Sequence, residues 1–300
     1  MKSFSILEAP SEKFVKLALE KMGVKLEDFK NDIHSQEDYL LQSKKYPIFV
    51  VADGVTLIQY ILDKKEYPNP SPAGAVAQIF CEQVVRSAES KYESFKDSDI
   101  KDIFTEANNA VRKYNTDHGR TKETVDYWDN DLYACTAAFV VIKDGVVYWA
   151  SICDSYVMHF SSTGTLEFSS PECHDLKQID SPKYAGDSTD QIAKTKHRWS
   201  TARNGINEKG QRIGYGVVTG EPEALTYLSY GSFSMKEGDV LTLLTDGFEN
   251  HVRLPDFISL FTSWSPDIES EFKELTHKKA EEDPERYGRE RSIIVVKNSE

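Results

Sequence analysis

Three hundred residues, 39% hydrophobic and 28% charged, are enough to bury a sizeable core and have the composition of an ordinary globular protein. A formal net charge of −13 excludes the broad phosphate-neutralising surface that nucleic-acid binding requires, and it works against binding to anionic membranes. Any phosphate site would therefore need a local positive centre, an arginine or a bound cation. The N-terminus, MKSFSILEAPSEKF, has no apolar core of signal-peptide length, and no window approaches the roughly 18 apolar residues of a membrane span. A cytoplasmic monomer is expected, without nucleic-acid or membrane partners. Cys81, Cys135, Cys153 and Cys173 show no CxxC pairing or zinc-ligand spacing, so they are read as reduced residues in or near the core.

Ser11 ahead of Phe14, Val15, Ala18, Leu19 and Met22 predicts a capped amphipathic helix that stops at Gly23. Residues 1–30 are accordingly expected to be a helical extension. A strand pair follows, Tyr39 to Leu41 and Ile48 to Ala52. Ser71 and Pro72 sit at the cap and first turn of a helix running to about Tyr92, and a second helix begins near Asp99. From Leu132 the period changes to two: ACTAAFVVI, a Lys143-Asp144-Gly145 turn and VVYWASI form a predicted hairpin, and Tyr156 to Phe160 continues as a strand. The aromatics Tyr127, Trp128, Tyr133, Tyr148 and Trp149 are expected in the sheet core. Residues 170–215 are polar and irregular, a predicted loop or flap carrying the basic residues Lys194, Lys196, His197, Arg198 and Arg203. Strands are expected again at Leu225 to Tyr230 and Val240 to Thr245, then helices at Pro255 to Ser263 and Asp267 to Lys279, and a closing strand at Ser292 to Val296. No linker or composition break divides the chain, so one domain over residues 1–300 is expected, of the α+β class.

The chemistry concentrates at strand ends. PIFVVADG and DVLTLLTDG each finish a buried run on Asp-Gly, placing Asp53 and Asp246 at sheet edges beside a residue with no side chain. Glu37 and Asp38 in SQEDYLL and Asp154 in SICDSYV add further strand-end acids. Oxygen-only ligands with no matched His or Cys suit Mg²⁺ or Mn²⁺ rather than zinc.

The motifs and their order resemble the metal-dependent protein phosphatases of the 2C type, the PPM family. The likeness runs through Glu37-Asp38, VVADG, the hairpin ending in ICDSYVMHF, LTLLTDGFEN and RSIIVV, from about residue 30 to residue 297. It implies a β-sandwich of two antiparallel sheets flanked by antiparallel helix pairs. It also implies hydrolysis of phosphoserine or phosphothreonine in proteins by a metal-activated water at a dinuclear Mg²⁺ or Mn²⁺ centre, with Asp53, Asp246 and Glu37 as the catalytic set. Asp53 would bridge two ions, the Gly54 carbonyl and Glu37 would serve one, and Asp246 the other. Asp38 would hold water, and Asp154 a third, weaker ion.

Three positions depart from the family pattern. Its last acid lies three residues before a Ser or Thr, where this chain has Arg289 in RERS; either Glu290 takes the metal-ligand place by a small backbone shift, or one ion loses a ligand. The family's phosphate-gripping arginine, four residues before the first acid, is Ile33 here, beside His34. Val55-Thr56 follows Asp53-Gly54 where many members of the family have a glycine-rich continuation or a histidine proposed as general acid, which leaves metal-held water or another residue, such as His34, His174 or His251, to protonate the leaving group. Ile33 and Arg289 also favour an alternative function, a catalytically weak or inactive module that binds a phosphoprotein or regulatory partner.

Overall fold

Alternation within the strands decides the layers. In one strand, Ile48–Gly54, the residues Ile48, Val50 and Ala52 face one way and Phe49 and Val51 the other, and all five are buried. A strand apolar on both faces must lie between two covering layers. Cys135–Lys143 repeats the pattern, with Ala137, Phe139 and Val141 on one face and Ala138, Val140 and Ile142 on the other.

The computed structural model describes residues 1–25, 27, 36–171 and 191–299. Its strands are β1 (Lys2–Glu8), β2 (Tyr39–Gln42), β3 (Ile48–Gly54), β4 (Cys135–Lys143), β5 (Val146–Ile152), β6 (Tyr156–Phe160), β7 (Leu166–Ser169), β8 (Ser229–Ser234), β9 (Val240–Leu244) and β10 (Arg291–Lys297). They make two five-stranded sheets, ordered β2-β3-β4-β5-β8 and β1-β10-β9-β6-β7, with every neighbouring pair antiparallel. The helices are α1 (Glu12–Lys21), α2 (Ile58–Leu62), α3 (Pro72–Lys91), α4 (Asp99–Asp117), α5 (Gln191–Ala202), α6 (Ala224–Tyr227), α7 (Asp246–Glu249), α8 (Pro255–Ser263), α9 (Ile268–Glu282) and α10 (Pro284–Tyr287). None is long and apolar enough to cross a membrane.

Three apolar cores separate four layers. Phe80 and Val84 of α3 and Ile103 and Phe104 of α4 pack on the first sheet, while Phe257, Phe261 and Phe272 of α8 and α9 cover the second. Between the sheets lie Phe49, Val51, Val140, Trp149, Leu241, Leu243, Ile294 and Val296. The expected sandwich with helix pairs outside is the observed one.

Four local expectations need correction. Residues 2–8 are a strand, not part of a helical extension: Phe4 and Ile6 are buried in register against Val295 and Ile293 of β10. The alternation Ser-Phe-Ser-Ile carries that signal but is short enough to be masked by the capped helix that follows. Leu225 to Tyr230 is a helical turn, α6, followed by β8, whose alternating Ser and Gly leave little apolar pattern. Tyr127 and Trp128 lie outside the sheets, and Trp128 stacks on Trp199 of α5 with ring centroids 6.2 Å apart. Of the predicted flap, residues 172–190 lie outside the described residues. The rest includes helix α5, whose last turn is tied to the body by Arg203: its guanidinium makes a buried bidentate pair with Asp131, at 2.6 and 2.9 Å.

β1 also supplies a buried countercharge. Arg291, 2% exposed, pairs with Glu8, and Glu8 Oε1 also lies 2.9 Å from His277 Nε2. Removing one partner of such a pair leaves an uncompensated interior charge. Glu8→Gln should lower the unfolding free energy in urea by about 3 kcal/mol. A loss well under ~1 kcal/mol would mean that water or another acid replaces the carboxylate.

Candidate active site

The antiparallel register of β2 and β3 pairs Tyr39 with Ala52, so the preceding residue, Asp38, falls beside the strand end that carries Asp53. The Gly54 amide donates to the Glu37 carbonyl at 3.1 Å and fixes that approach. From the other sheet, Thr245 ends β9; its hydroxyl donates to Asp38 Oδ2 at 2.8 Å and accepts from the Ser292 amide at 2.9 Å. One threonine thus joins the two sheets at the edge where Asp246 starts α7. Sequence reasoning passed over Thr245 because a buried threonine in an apolar strand has no distinctive pattern.

The glycine of each Asp-Gly pair gives clearance for the protein's own backbone rather than for a ligand. A Cβ on Gly54 would lie 2.7 Å from the Ala73 carbonyl, and one on Gly247 would lie 2.0 Å from the Glu290 carbonyl. These crossings bring α3 and the start of β10 up against the acids.

Glu37 is fully buried, and its Oε1 accepts from Tyr67 Oη at 2.7 Å and from the hydroxyl of Ser71, which also caps α3. Burial nevertheless pushes its carboxyl up to about 7. Burial pushes Asp38 up to about 7 as well, with the Asp246 charge adding to the effect. Asp53 is raised by burial and then by Asp38, Asp246, Asp154 and Glu290, and Asp246 is raised to about 6 by burial and Asp154. Carboxylates that raise one another from both sheets form a single electrostatic cluster. Asp154 follows Cys153, whose φ of 63° turns the chain out of β5, and its Oδ1 is shielded from solvent with no hydrogen bond.

Arg289 and Glu290 divide the positions between them. Arg289 Nη1 donates to Asp246 Oδ2, so a guanidinium already sits on the acid expected to anchor an ion. Glu290 enters the cluster, but its Oε1 accepts the backbone amides of Glu37 at 2.6 Å and Asp38 at 2.7 Å and the side-chain amide of Gln36. Through that oxygen it braces the acidic segment. Burial and the Asp38 charge raise it, against the two amide bonds that favour its charged form. Among the described residues no three His, Cys, Asp or Glu side chains form a ready-made metal-ligand group. The donor chemistry still fits a hard cation: the acids are oxygen donors, they repel one another, and Asp154 keeps a buried oxygen unsatisfied.

Beside Asp154 opens a cleft of about 720 Å³ lined by Thr56, Thr136, Arg198, Trp199 and Tyr215, with Lys21 at the end of α1 and Met22 just after it also in the lining. Arg198 lies over the Tyr215 ring, 5.5 Å from its centroid, so the basic stretch contributes one cation to the cleft while Lys196 pairs with Asp126 and Arg203 is buried. Of the candidate acid histidines, His251 is fully buried, bonded to the Gly247 carbonyl, and pushed down to about 3 by burial and Arg291. It is neutral and unavailable. Ile33, His34, Cys173 and His174 lie outside the described residues.

No curated protein matches this sequence. Solved structures match over nearly the whole chain. The serine/threonine phosphatase of S. agalactiae is 13% identical, with 100% of this chain and 99% of that one covered and a TM-score of 0.58. The Mycobacterium tuberculosis serine/threonine phosphatase PstP/Ppp is 12% identical over 100% and 98%, with a TM-score of 0.54. The PstP catalytic domain in complex with two manganese ions is 11% identical over 99% and 97%, with a TM-score of 0.52. At these identities the likeness establishes the sandwich fold. The family model for protein phosphatase 2C matches residues 28–280, which takes in Glu37, Asp38, Asp53, Asp154 and Asp246 and stops short of Arg289; the chain belongs to the protein phosphatase 2C family.

Proposed function

We propose that this protein hydrolyses phosphoserine and phosphothreonine in other proteins at a Mg²⁺ or Mn²⁺ centre built on Asp53. The observation that carries the reading is the convergence of Asp38 and Asp53 from one sheet with Asp246 from the other, each raised by its neighbours' charge. Asp53 would be shared between two ions, with the Gly54 carbonyl and Glu37 serving one, Asp246 the other, and Asp154 a weaker third. Bound there, the cations would neutralise the carboxylates, polarise phosphoryl oxygens and acidify water.

The chain's own groups supply position and exclusion. The Thr245 hydroxyl orients the Asp38 carboxylate, and Tyr67 and Ser71 hold Glu37. The Arg198 guanidinium offers the cleft a positive charge beside Asp154, on an otherwise acidic protein. With His251 neutral and enclosed, protonation of the leaving hydroxyl is left to metal-held water, His34, His174 or a group lining the cleft. The Mn²⁺ in the PstP complex supports the choice of ion.

A second reading has its own observation. Arg289 on Asp246 favours a weak or inactive module that binds a phosphoprotein through the same cleft.

Turnover separates the two. Mn²⁺-dependent release of phosphate from a phosphothreonine peptide is expected, and Asp53→Asn should reduce it by more than about 100-fold while the circular dichroism spectrum and melting temperature stay near wild type. Peptide binding without turnover under Mg²⁺, Mn²⁺ or any other divalent ion would leave only the second reading.

The raised carboxyls set a pH dependence. Glu37 and Asp38 carry folded values of about 7, above their ordinary values of 4.5 and 3.8, so their stabilisation is complete below about pH 4 and is lost as pH rises through 7. In EDTA the urea midpoint should therefore fall between pH 5 and 8. Mn²⁺ should remove most of that fall, and its affinity should rise over the same interval because protons compete for the ligands. A urea midpoint in EDTA that does not change from pH 5 to 8 would refute the burial of these charges.

A further inference from the structure

Among the described residues no lysine or arginine is paired with Asp38, Asp53 or Asp154, yet Asp246 has the Arg289 guanidinium on its Oδ2. The arginine is delivered there by a fixed backbone. Arg291, buried and paired with Glu8, donates from Nη1 to the Arg289 carbonyl at 2.9 Å. The next carbonyl, that of Glu290, is packed against Gly247, and the Glu290 side chain is tied to the amides of Glu37 and Asp38. Both residues that flank Arg289 toward β10 are thus held, and its own side chain is what remains free to move. That side chain is 52% exposed, against 24% for the Asp246 side chain, so the guanidinium approaches from the solvent side and can leave the same way.

A guanidinium and a divalent ion seek the same carboxylate lone pairs, and they repel each other at contact distance. We infer that Arg289 is a built-in counter-cation of Asp246: a divalent ion occupies the Asp246 side of the centre only by displacing it, while the Asp53 side fills without that competition. The two ions proposed around Asp53 then differ in affinity, and Arg289 sets the weaker of that pair; the third ion proposed at Asp154 is separate. The inference rests on the proposed reading that the cluster holds divalent cations. It goes further in assigning unequal affinities and the residue responsible.

The test is a calorimetric Mn²⁺ titration of the full chain at a fixed pH of 8. Wild type should show a tighter and a weaker event. Asp246→Asn should abolish the weaker event alone. Arg289→Ala should tighten the weaker event by roughly tenfold and leave the other unchanged. Arg289→Lys, which keeps the charge, should stay near wild type. Millimolar guanidinium chloride, far below denaturing concentration, should weaken the tightened site of Arg289→Ala again, a reversal that a merely structural effect of the substitution would not give. Equal affinities in wild type, or an Arg289→Ala titration that overlays the wild type, would overturn the inference while leaving the phosphatase reading in place. No Mn²⁺ binding by wild type or any variant would sink both.

Discussion

Repulsion between buried carboxylates at one end of the sandwich is the constraint around which the rest of the structure is arranged. Asp38, Asp53, Asp154, Asp246 and Glu290 lie close enough for charge on one to act on another, and burial raises the energy of the charges on Asp38, Asp53, Asp246 and Glu290. A fold would disperse such groups unless something holds them. Here the hold is backbone geometry: Asp38 and Asp53 are placed by strand register, and Asp246 by the end of β9. The unfavourable electrostatics remain, and a cation relieves them. That is why the same residues that destabilise the chain without ions are the ones suited to bind them.

The two sheets meet at this point through few polar contacts. Thr245 bonds across to Asp38 and receives the Ser292 amide, and the Asp-Gly glycines allow the crossing backbones to approach. Apolar packing between the sheets aligns them but does not discriminate one small sliding offset from another. A directed hydrogen bond and a crossing that tolerates no Cβ do discriminate, and they set which acids come together.

The C-terminal strand has a second task besides closing the sheet. Within four consecutive residues, Arg289 faces Asp246, Glu290 braces Glu37 and Asp38, Arg291 is buried against Glu8, and Ser292 bonds Thr245. Because β1 provides the partner of Arg291, the first strand of the chain steadies the segment that presents Arg289 to the site. An N-terminal strand at the sheet edge is in this way mechanically connected to the acid cluster, though none of its residues enters it.

Much of this was legible from residue order, because helices and strands declare themselves locally. Ser71-Pro72 marked the start of α3 and Asp144-Gly145 the turn of the central hairpin, while the two-sheet sandwich was implied by the resemblance of the motifs. The acids at strand ends were visible for the same reason, since strand ends are local features. What sequence could not decide was where the side chains after α10 would point. Whether Arg289 or Glu290 reaches Asp246 depends on how β10 enters the sheet, on the clearance at Gly247 and on the burial of Arg291 against a strand 283 positions away in sequence. Those are relations between distant segments packed in three dimensions, and only the tertiary structure settles them: the guanidinium lies on Asp246, and Glu290 turns to the amides of the opposite sheet.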